Sequence, residues 1–351
     1  MIDYLNFRDL FKYFIIIWLL IFTGCQSDKP ADSDRAIAEM PTELPPPETD
    51  FEASEYKWGF MNRQGTLVIP ARYDDTGDFS EGMAAVRIRG RWGYINQQGE
   101  EVIPVQFKGA WAFSDGLARV LTYEDKMGFI DKNGNWVIPP TLDDAQDFRE
   151  NRARIRKSDL YGYIDKTNKE VIPIQYQSAA SAFENGTAKI KTNNKYGLID
   201  LNGEFVLPAD YQNVAPFSDE FSRVKIEGKF GYVDRSGKLV IPARFKSAQD
   251  FTEGFAPAKQ DDLYGLIDKT GQFVVQPQYK QMWYANEKLW CVEQNGKFGC
   301  INAFGEEVIP VKFDQLYHFS EGLSCYQLGR LWGIIDRNGK VVTEPQFGLC
   351  W

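Results

Sequence analysis

The most constraining feature of this sequence is a step of an aromatic residue followed by glycine, which recurs about every 34 residues. A fixed period of this length indicates one supersecondary unit copied in tandem, so it decides the architecture before any local pattern does. It also disfavours an enzyme, because copies present similar surfaces whereas an active site needs one irregular constellation. Nine steps occur, the third with methionine in the aromatic position: Trp58-Gly59, Trp92-Gly93, Met127-Gly128, Tyr161-Gly162, Tyr196-Gly197, Phe230-Gly231, Tyr264-Gly265, Phe298-Gly299 and Trp332-Gly333.

Composition limits the chemistry and the partners. The net charge of −9 disfavours nucleic acid, whose binding depends on neutralised phosphates. The single histidine, His318, argues against histidine-based catalysis and a multi-histidine metal site. Acidic residues at 74, 75, 78 and 81 do not recur in register, as the ligands of a calcium repeat would. The sequence also has no phosphate loop or nucleophile elbow, so it predicts no catalytic residue, no metal and no cofactor.

Residues 1–24 are predicted to be a lipoprotein signal peptide. The apolar stretch at 13–22 has about half the roughly 20 residues that span a bilayer. The sequence Phe22-Thr23-Gly24-Cys25 follows and resembles a bacterial lipobox, although Phe22 replaces the commoner leucine. The resemblance implies lipidation of Cys25 and cleavage after Gly24, which would give stable anchoring. An uncleaved membrane anchor and a plain secretory signal are the alternatives.

Residues 25–55 are predicted to be the lipidated cysteine and a disordered acidic, proline-rich tether. Residues 26–50 hold seven acidic and two basic side chains and a run of three prolines at 45–47. Such a segment cannot bury enough apolar surface to fold alone. Gln26, directly after Cys25, is not the aspartate linked to inner-membrane retention, so we expect a bacterial cell envelope location at the outer membrane.

The repeating unit is predicted to be an antiparallel β-meander, and it fills residues 56–351 as eight full repeats plus a half repeat. Short apolar runs every 8–12 residues, separated by glycine, are typical of β-strands and tight turns. Proline recurs in the last strand of each unit, where its missing N–H predicts an edge or a bulge. One unit is predicted to contain a turn at 79–82, a strand at 83–88, a turn at 89–90, a strand at 92–96, a turn at 97–99 and a strand at 100–107.

These units resemble the bacterial WG-repeat (KWG) family. The resemblance rests on Lys57-Trp58-Gly59-Phe60, Arg91-Trp92-Gly93-Tyr94 and Leu331-Trp332-Gly333-Ile334, each followed by a glycine turn and a Val-Ile-Pro-like (VIP) strand. It implies an all-β tandem array, often on secreted or surface proteins, with no established chemistry. The sequence departs at Met127. It also departs at 283–286, where the turn Phe-Ser-Glu-Gly of residues 79–82 (the FSEG turn) is missing.

The global arrangement has two interpretations. Nine hairpins from a Trp-Gly strand to a VIP strand occur, but only eight FSEG segments separate them. A closed propeller divides one blade between its termini, so the surplus hairpin favours an open, curved or superhelical array in which each unit contacts its neighbours. A propeller-like closed ring is the alternative, and it would gain support if residues near 73–79 formed a short strand.

Four tryptophans fall outside the register of the Trp-Gly steps, and the repeat does not demand them. The in-register rings are expected to be core, because aromatic side chains bury a large area. The four off-register side chains are therefore the better candidates to face a ligand: Trp111, Trp136, Trp283 and Trp290.

The cysteines predict a disulfide. Asn295-Gly296 is typical of a two-residue type I′ hairpin, and counting outward from it places Cys291 opposite Cys300. That distance is within disulfide reach, and an exported location permits the bond. Cys325 shares the register of Cys291 one repeat later, so its pairing with Cys300 or Cys350 is the alternative.

The resulting functional hypothesis is a non-enzymatic, envelope-anchored repeat protein. Its array would present an extended surface on which many modest contacts bind another protein. The alternative is a glycan- or peptidoglycan-binding module that uses exposed aromatic side chains.

Overall fold

The computed structural model describes residues 57–61 and 67–348, and within these ranges the regular structure is entirely β. This confirms the predicted fold class, a tandem series of antiparallel β-sheets. The predicted signal peptide (1–24), Cys25, the tether and Cys350 lie outside the described residues. The preference for an open array over a closed ring stays a prediction from the sequence.

The described residues divide into two compact units, of which the first ends at residue 183 and the second begins at residue 184. In the first unit, sheet 1 is the hairpin β1–β2, sheet 2 is β3–β6, sheet 3 is β7–β10 and sheet 4 is β11–β13. Strand β14 follows sheet 4 and is not part of it. The strands are β1 Trp58–Met61, β2 Leu67–Tyr73, β3 Asp75–Thr76, β4 Met83–Ile88, β5 Arg91–Asn96, β6 Glu101–Phe107, β7 Gly109–Ala110, β8 Ala118–Leu121, β9 Met127–Ile130, β10 Trp136–Leu142, β11 Ala153–Lys157, β12 Leu160–Ile164, β13 Glu170–Tyr176 and β14 Ser178–Ala179.

In the second unit, β15–β17 form sheet 5, β18–β21 sheet 6, β22–β25 sheet 7, β26–β29 sheet 8 and β30–β33 sheet 9. The strands are β15 Thr187–Thr192, β16 Lys195–Asp200, β17 Phe205–Tyr211, β18 Asn213–Ser218, β19 Phe221–Ile226, β20 Lys229–Val233, β21 Leu239–Phe245, β22 Ser247–Ala248, β23 Phe255–Gln260, β24 Leu263–Asp268, β25 Phe273–Tyr279, β26 Gln281–Tyr284, β27 Trp290–Gln294, β28 Lys297–Ile301, β29 Glu307–Phe313, β30 Gln315–Leu316, β31 Leu323–Leu328, β32 Leu331–Asp336 and β33 Val341–Phe347.

A bulge in the last strand of each sheet explains the glycine of the Trp-Gly step. In sheet 2, Ile103 and Phe107 pair with residues only two apart on the neighbouring strand, so the intervening residues, including Pro104, bulge out. The bulged backbone passes over Gly93, where an added Cβ would lie 2.5 Å from the carbonyl oxygen of Ile103. Only glycine fits beneath this strand, which is why the step persists even where the preceding aromatic residue is lost.

The FSEG turn links one repeat to the next. The Ser80 hydroxyl donates to the carbonyl of Phe113 at 2.7 Å, and the Glu81 carboxylate accepts from the Gly116 N–H at 3.1 Å. The second unit repeats both bonds: Ser218 donates to the Phe251 carbonyl and Asp219 accepts from the Gly254 N–H, each at 2.6 Å. The serine and the acid of the motif therefore fasten neighbouring turns to each other.

This link survives where the sequence motif is missing. In sheet 8 the Asn286 side-chain amide donates to the Phe319 carbonyl, and Glu287 accepts from the Gly322 N–H. Ala285 stands in the position of the turn phenylalanine. The departure that the sequence suggested at 283–286 is thus a loss of the motif and not of its hydrogen bonds.

Apolar clusters fill the spaces between neighbouring sheets. The turn phenylalanine of one sheet packs edge-on against a buried ring of the preceding sheet, as Phe113 does on Tyr94 at 5.0 Å and Phe251 on Tyr232 at 4.8 Å. All four side chains are at most 1% exposed. Complete burial of such a ring stabilises by about 1.5–3 kcal/mol, so each repeat depends on its neighbour for its core.

Candidate functional site

Two pockets border sheet 8 of the second unit. One, of about 320 Å³, is lined by Arg223, Gln249, Asp250, Thr252, Pro257, Tyr284 and Trp290. The other, of about 290 Å³, is lined by Trp283, Phe298, Asp314, Gln315, Leu316, Tyr317 and His318. Two of the four tryptophans that the sequence singled out, Trp283 and Trp290, therefore line pockets.

Trp290 occupies a position that is small in the other complete repeats. It lies on the second strand of sheet 8 and pairs with Ile301 on the third. The corresponding residues, each paired in the same way, are alanine or serine and are buried: Ala84, Ala118, Ala153, Ala188, Ser222, Ala256 and Ser324.

A second exchange accompanies it in the same sheet. Sheet 8 carries Ala285 where the other FSEG-type turns carry phenylalanine. The Trp290 ring joins the cluster between sheets 7 and 8, which includes Leu266, and meets Phe255 edge-on at 5.7 Å. Trp290 therefore supplies an aromatic ring from a strand to the interface between sheets 7 and 8. In the interface between sheets 6 and 7, the turn residue Phe251 supplies it.

The exchange leaves a polar atom unsatisfied. Trp290 is 1% exposed, and its Nε1–H has no hydrogen-bond partner among the described residues. Buried polar groups almost always have a partner, so an orphaned donor beside a pocket requires an explanation.

An ion pair forms the polar side of this pocket. Arg223 Nε donates to Asp250 Oδ1 at 2.9 Å and its Nη1 donates to the Ala248 carbonyl at 2.8 Å. The Gln249 amide donates to the Met282 carbonyl at 2.6 Å. Both charged groups are thereby held beside the buried tryptophan.

The ion pair belongs to a series of basic side chains in one register. In the first unit Arg119 contacts Asp147 at 3.0 Å, and Arg154 donates to the Ala179 carbonyl at 2.8 Å. In the second, Lys189 donates to Asn213 at 2.5 Å, and burial, with the nearby Arg223 charge, lowers the pKa of this lysine.

The series ends at Pro257, which takes the register of Arg223 in the next repeat. Proline has no side-chain donor and cannot reach the following turn. Tyr284 there replaces the aspartate found at 147 and 250. The pocket is therefore the space that the missing basic bridge would occupy.

The second pocket is mainly aromatic. Trp283 meets Phe298 at 5.9 Å, and Tyr317 stacks on Trp332 at 4.8 Å. Lys297 donates to Asp314 at 2.6 Å, and this bond lowers the pKa of the aspartate. His318 is exposed at its edge.

The other two off-register tryptophans make contacts within the fold. Arg119 lies over the Trp111 ring at 4.0 Å, and the Trp111 carbonyl accepts from the Tyr94 hydroxyl. Trp136 meets Phe107 edge-on at 6.0 Å against the core between sheets 2 and 3. Both are half-buried. That any of the four tryptophans faces a ligand stays a prediction.

Basic side chains also cover several in-register rings. Arg154 lies over Tyr161 at 4.9 Å and Lys189 over Tyr196 at 4.5 Å. These rings are half-buried, so they do not form open platforms.

The cysteine pair is buried between strands. Cys291 lies opposite Cys300, both are free thiols, and their Sγ atoms are 2.6 Å apart. Burial raises the pKa of the Cys300 thiol far above its usual range, and Cys291 adds to the shift. Cys325 is disulfide-bonded, so its alternative pairing with the free Cys300 is not formed. The Cys291–Cys300 bridge stays a prediction.

Site chemistry elsewhere is sparse. Across 57–61 and 67–348, no three His, Cys, Asp or Glu side chains group as metal ligands would. No helix long and apolar enough to cross a membrane occurs in that part of the chain.

Sequence reasoning missed most of the pocket beside Trp290. No motif in the sequence marks Arg223, Asp250 or Pro257 as a site residue. The available signal was positional: Pro257, Ala285 and Trp290 each break the pattern of their repeat position within one stretch of about 34 residues.

Several solved structures are similar to this chain at low sequence identity. A eukaryotic initiation factor matches with 10% identity and a TM-score of 0.50, over 78% of this chain and 87% of that one. BamB from Moraxella catarrhalis matches with 13% identity and a TM-score of 0.39, over 72% and 90%. The computationally designed Ika8 protein matches with 12% identity and a TM-score of 0.38, over 75% and 93%. No curated protein matches this sequence.

The repeats themselves match a family model described as the WG containing repeat. The match comprises nine consecutive segments: 58–92, 92–124, 127–161, 161–196, 196–230, 230–264, 264–298, 298–332 and 332–351. Each begins at one of the steps that the sequence analysis identified. The chain belongs to the WG containing repeat family and is a β-rich repeat protein of the kind that serves as a binding scaffold.

Proposed function

We propose that this protein is a non-enzymatic, envelope-anchored scaffold whose sheets bind another protein. Its membership of a repeat family supports the scaffold role, since tandem sheets present similar surfaces along the chain. Anchoring would come from lipidation of Cys25, and the tether would hold the sheets away from the membrane.

One exposed aromatic side chain carries the proposal for a protein partner. Phe304 lies in the turn before the last strand of sheet 8 and is 80% exposed. The other repeats carry polar residues at this turn position of the sequence: Gln64, Gln98, Asn133, Thr167, Asn202, Ser236, Thr270 and Asn338. The fold therefore does not require a ring here, and exposed aromatic side chains are typical anchors of protein interfaces.

The turn that carries Phe304 lies against sheet 7, which has an exposed apolar side chain of its own. The next residue, Gly305, sits so close to Val275 of sheet 7 that an added Cβ would lie 3.2 Å from its side chain. Val274, beside it in sequence, is 42% exposed. An apolar anchor surrounded by polar turns is the usual composition of a protein contact site.

Binding of glycan along the array has less support. A row of sugar-stacking platforms needs exposed rings, whereas Tyr161 and Tyr196 are half-buried beneath basic side chains.

The partner proposal is tested by capture from detergent-solubilised envelope. Full-length protein, Phe304→Asn and a matched control, Ser236→Ala in the same turn position, are compared by quantitative mass spectrometry. We expect one protein to be retained by wild type and control and to bind Phe304→Asn at least about tenfold more weakly. Equal capture by all three, or a glycan array that binds while no protein does, would refute the proposal.

The anchoring proposal is tested separately by fatty-acid labelling. Wild-type protein should incorporate the label and sediment with membranes, and Cys25→Ala should do neither. Labelling of Cys25→Ala, or a wild-type protein that remains unlabelled, would refute it.

A further inference from the structure

One residue that lines the pocket, Trp290, carries a buried donor without a partner. Trp290 Nε1–H has no partner in the described structure, yet its residue is 1% exposed and lines a pocket of about 320 Å³. An unsatisfied buried N–H costs about 1–3 kcal/mol, so a ligand acceptor that reached it would recover that cost. The volume is at the small end of the range for small-molecule sites, about 300–1,000 Å³.

The charge of the pocket limits what can enter. Arg223 and Asp250 are the charged residues lining it, and they neutralise each other in a 2.9 Å bond. Asp250 would repel a carboxylate in the pocket, and Arg223 would repel an ammonium group. The pocket therefore favours a neutral molecule over either ion.

The remaining groups provide both donors and acceptors. Asp250 uses Oδ1 for Arg223, which leaves Oδ2 as an acceptor. Gln249 uses its amide N–H for the Met282 carbonyl, which leaves its Oε1. Thr252 carries a hydroxyl, and the half-buried Tyr284 carries a ring and a hydroxyl that accepts from the Lys288 N–H at 3.2 Å.

We propose that this pocket binds one neutral sugar unit, with a hydroxyl oxygen accepting from Trp290 Nε1–H. A sugar ring is neutral, presents several hydroxyls that both donate and accept, and has an apolar face suited to the Tyr284 ring. This inference is independent of the proposed protein partner, because Phe304 does not line the pocket.

The direct test is a titration of full-length protein, ¹⁵N-labelled at its tryptophans, with the methyl glycosides of glucose, galactose, mannose and N-acetylglucosamine. The indole N–H signal of Trp290 is assigned by its loss in Trp290→Phe, which keeps a ring and removes the donor. We expect that signal to shift saturably with at least one glycoside. Trp290→Phe should bind that glycoside about tenfold more weakly, which corresponds to about 1.4 kcal/mol.

Trp332→Phe is the matched control, because Trp332 is a buried indole of sheet 9 outside this pocket. The affinity of Trp332→Phe for the glycoside should stay within about twofold of the wild-type affinity. The same titration with glucuronic acid and glucosamine tests the charge argument, and each should bind more weakly than methyl glucoside.

A second variant keeps the proposal testable if Trp290→Phe does not fold. Pro257→Arg with Tyr284→Asp rebuilds the basic bridge of the preceding repeat inside the pocket and should abolish glycoside binding. The proposal is overturned if no glycoside shifts the Trp290 signal. It is equally overturned if either pocket variant binds like wild type, or if the charged sugars bind as well as the neutral ones.

Discussion

Two neighbouring interfaces fill equivalent spaces with different residues. One lies between sheets 6 and 7, and the other lies between sheets 7 and 8. In the first, the turn residue Phe251 packs on Tyr232, and the neighbouring strand position is Ala256. In the second, the strand carries Trp290, and the turn residue is Ala285, which clusters with residues of sheet 9. Both interfaces contain a buried aromatic ring of the later sheet, which comes from the turn in the first and from the strand in the second.

The same two interfaces differ in polarity. Arg223 bridges to Asp250 across the first interface, whereas Pro257 leaves the second unbridged and open. The second interface therefore differs in three ways. Its ring comes from Trp290 on a strand, Pro257 forms no ion pair across it, and Trp290 Nε1–H has no partner among the described residues. The departures at Pro257, Ala285 and Trp290 from the preceding repeat thus lie within 34 residues of sequence.

The largest expected effect is that of removing the shifted ring. Trp290→Ala should lower the free energy of unfolding by about 3–5 kcal/mol, because it leaves a cavity between sheets 7 and 8. Phe251→Ala should cost a similar amount at the preceding interface, since it removes the equivalent ring. Urea unfolding of both variants measures this; a Trp290→Ala variant as stable as wild type would show that the ring is not core.

Substitution of the glycine in the Trp-Gly step should destabilise sheet 6 and sheet 7 to a similar extent. An added Cβ would lie 2.6 Å from the Ile241 carbonyl oxygen at Gly231 and 2.3 Å from that of Val275 at Gly265. Gly231→Ala and Gly265→Ala should therefore each cost about 1–3 kcal/mol by overpacking against backbone. Unequal urea midpoints, with one variant unaffected, would contradict a shared bulge.

The basic bridge should contribute less than the rings. Arg223 is 24% exposed and Asp250 44% exposed in their side chains, so solvent weakens their attraction. Arg223→Gln should lower the free energy of unfolding by about 1 kcal/mol or less. A loss as large as that of Phe251→Ala would mean that the bridge, and not the ring, holds sheets 6 and 7 together.

The smallest effect concerns the turn that closes each Trp-Gly strand. Asp234 accepts from the Ser236 hydroxyl and from backbone N–H groups, and the Ser236 bond lowers the pKa of this aspartate. Its contribution to stability is therefore present above the unfolded-state pKa, near 4, and is lost as pH falls through the lower folded-state value.

Asn96 and Asn302 make the same backbone bonds in their own repeats without a charge. Asp234→Asn should therefore keep its thermal midpoint at pH 7 and lose less stability than wild type between about pH 4 and pH 2. Thermal melts across that range are the measurement. Identical pH dependence of the two proteins would contradict this role for Asp234.

Much of the fold could be predicted from sequence because its signals are local and repeated. The predicted strand at 83–88 is present unchanged, and the hairpin around Asn295-Gly296 has the expected positive φ at both turn residues. The short strand at Asp75–Thr76 could be suggested but not assigned, since two residues carry no periodic pattern.

The links between repeats and the pocket could not be predicted. Ser80 and Glu81 contact residues 33 and 35 positions away, so the motif gives no sign that its side chains reach the next turn. Trp290 could be singled out by its register, but its burial against Leu266 and Phe255 could not be predicted. An alignment of the repeats shows both exchanges, but it does not show that Trp290 lines a pocket.

The central claim, that Trp290 replaces the turn phenylalanine, is tested most directly by a double-mutant cycle in urea. Ala285→Phe alone should destabilise by about 1–3 kcal/mol through overpacking. Combined with Trp290→Ala, it should instead restore at least about 2 kcal/mol of what that substitution removes, because it returns the interface to the pattern of sheets 6 and 7. A double variant whose losses simply add would contradict the claim.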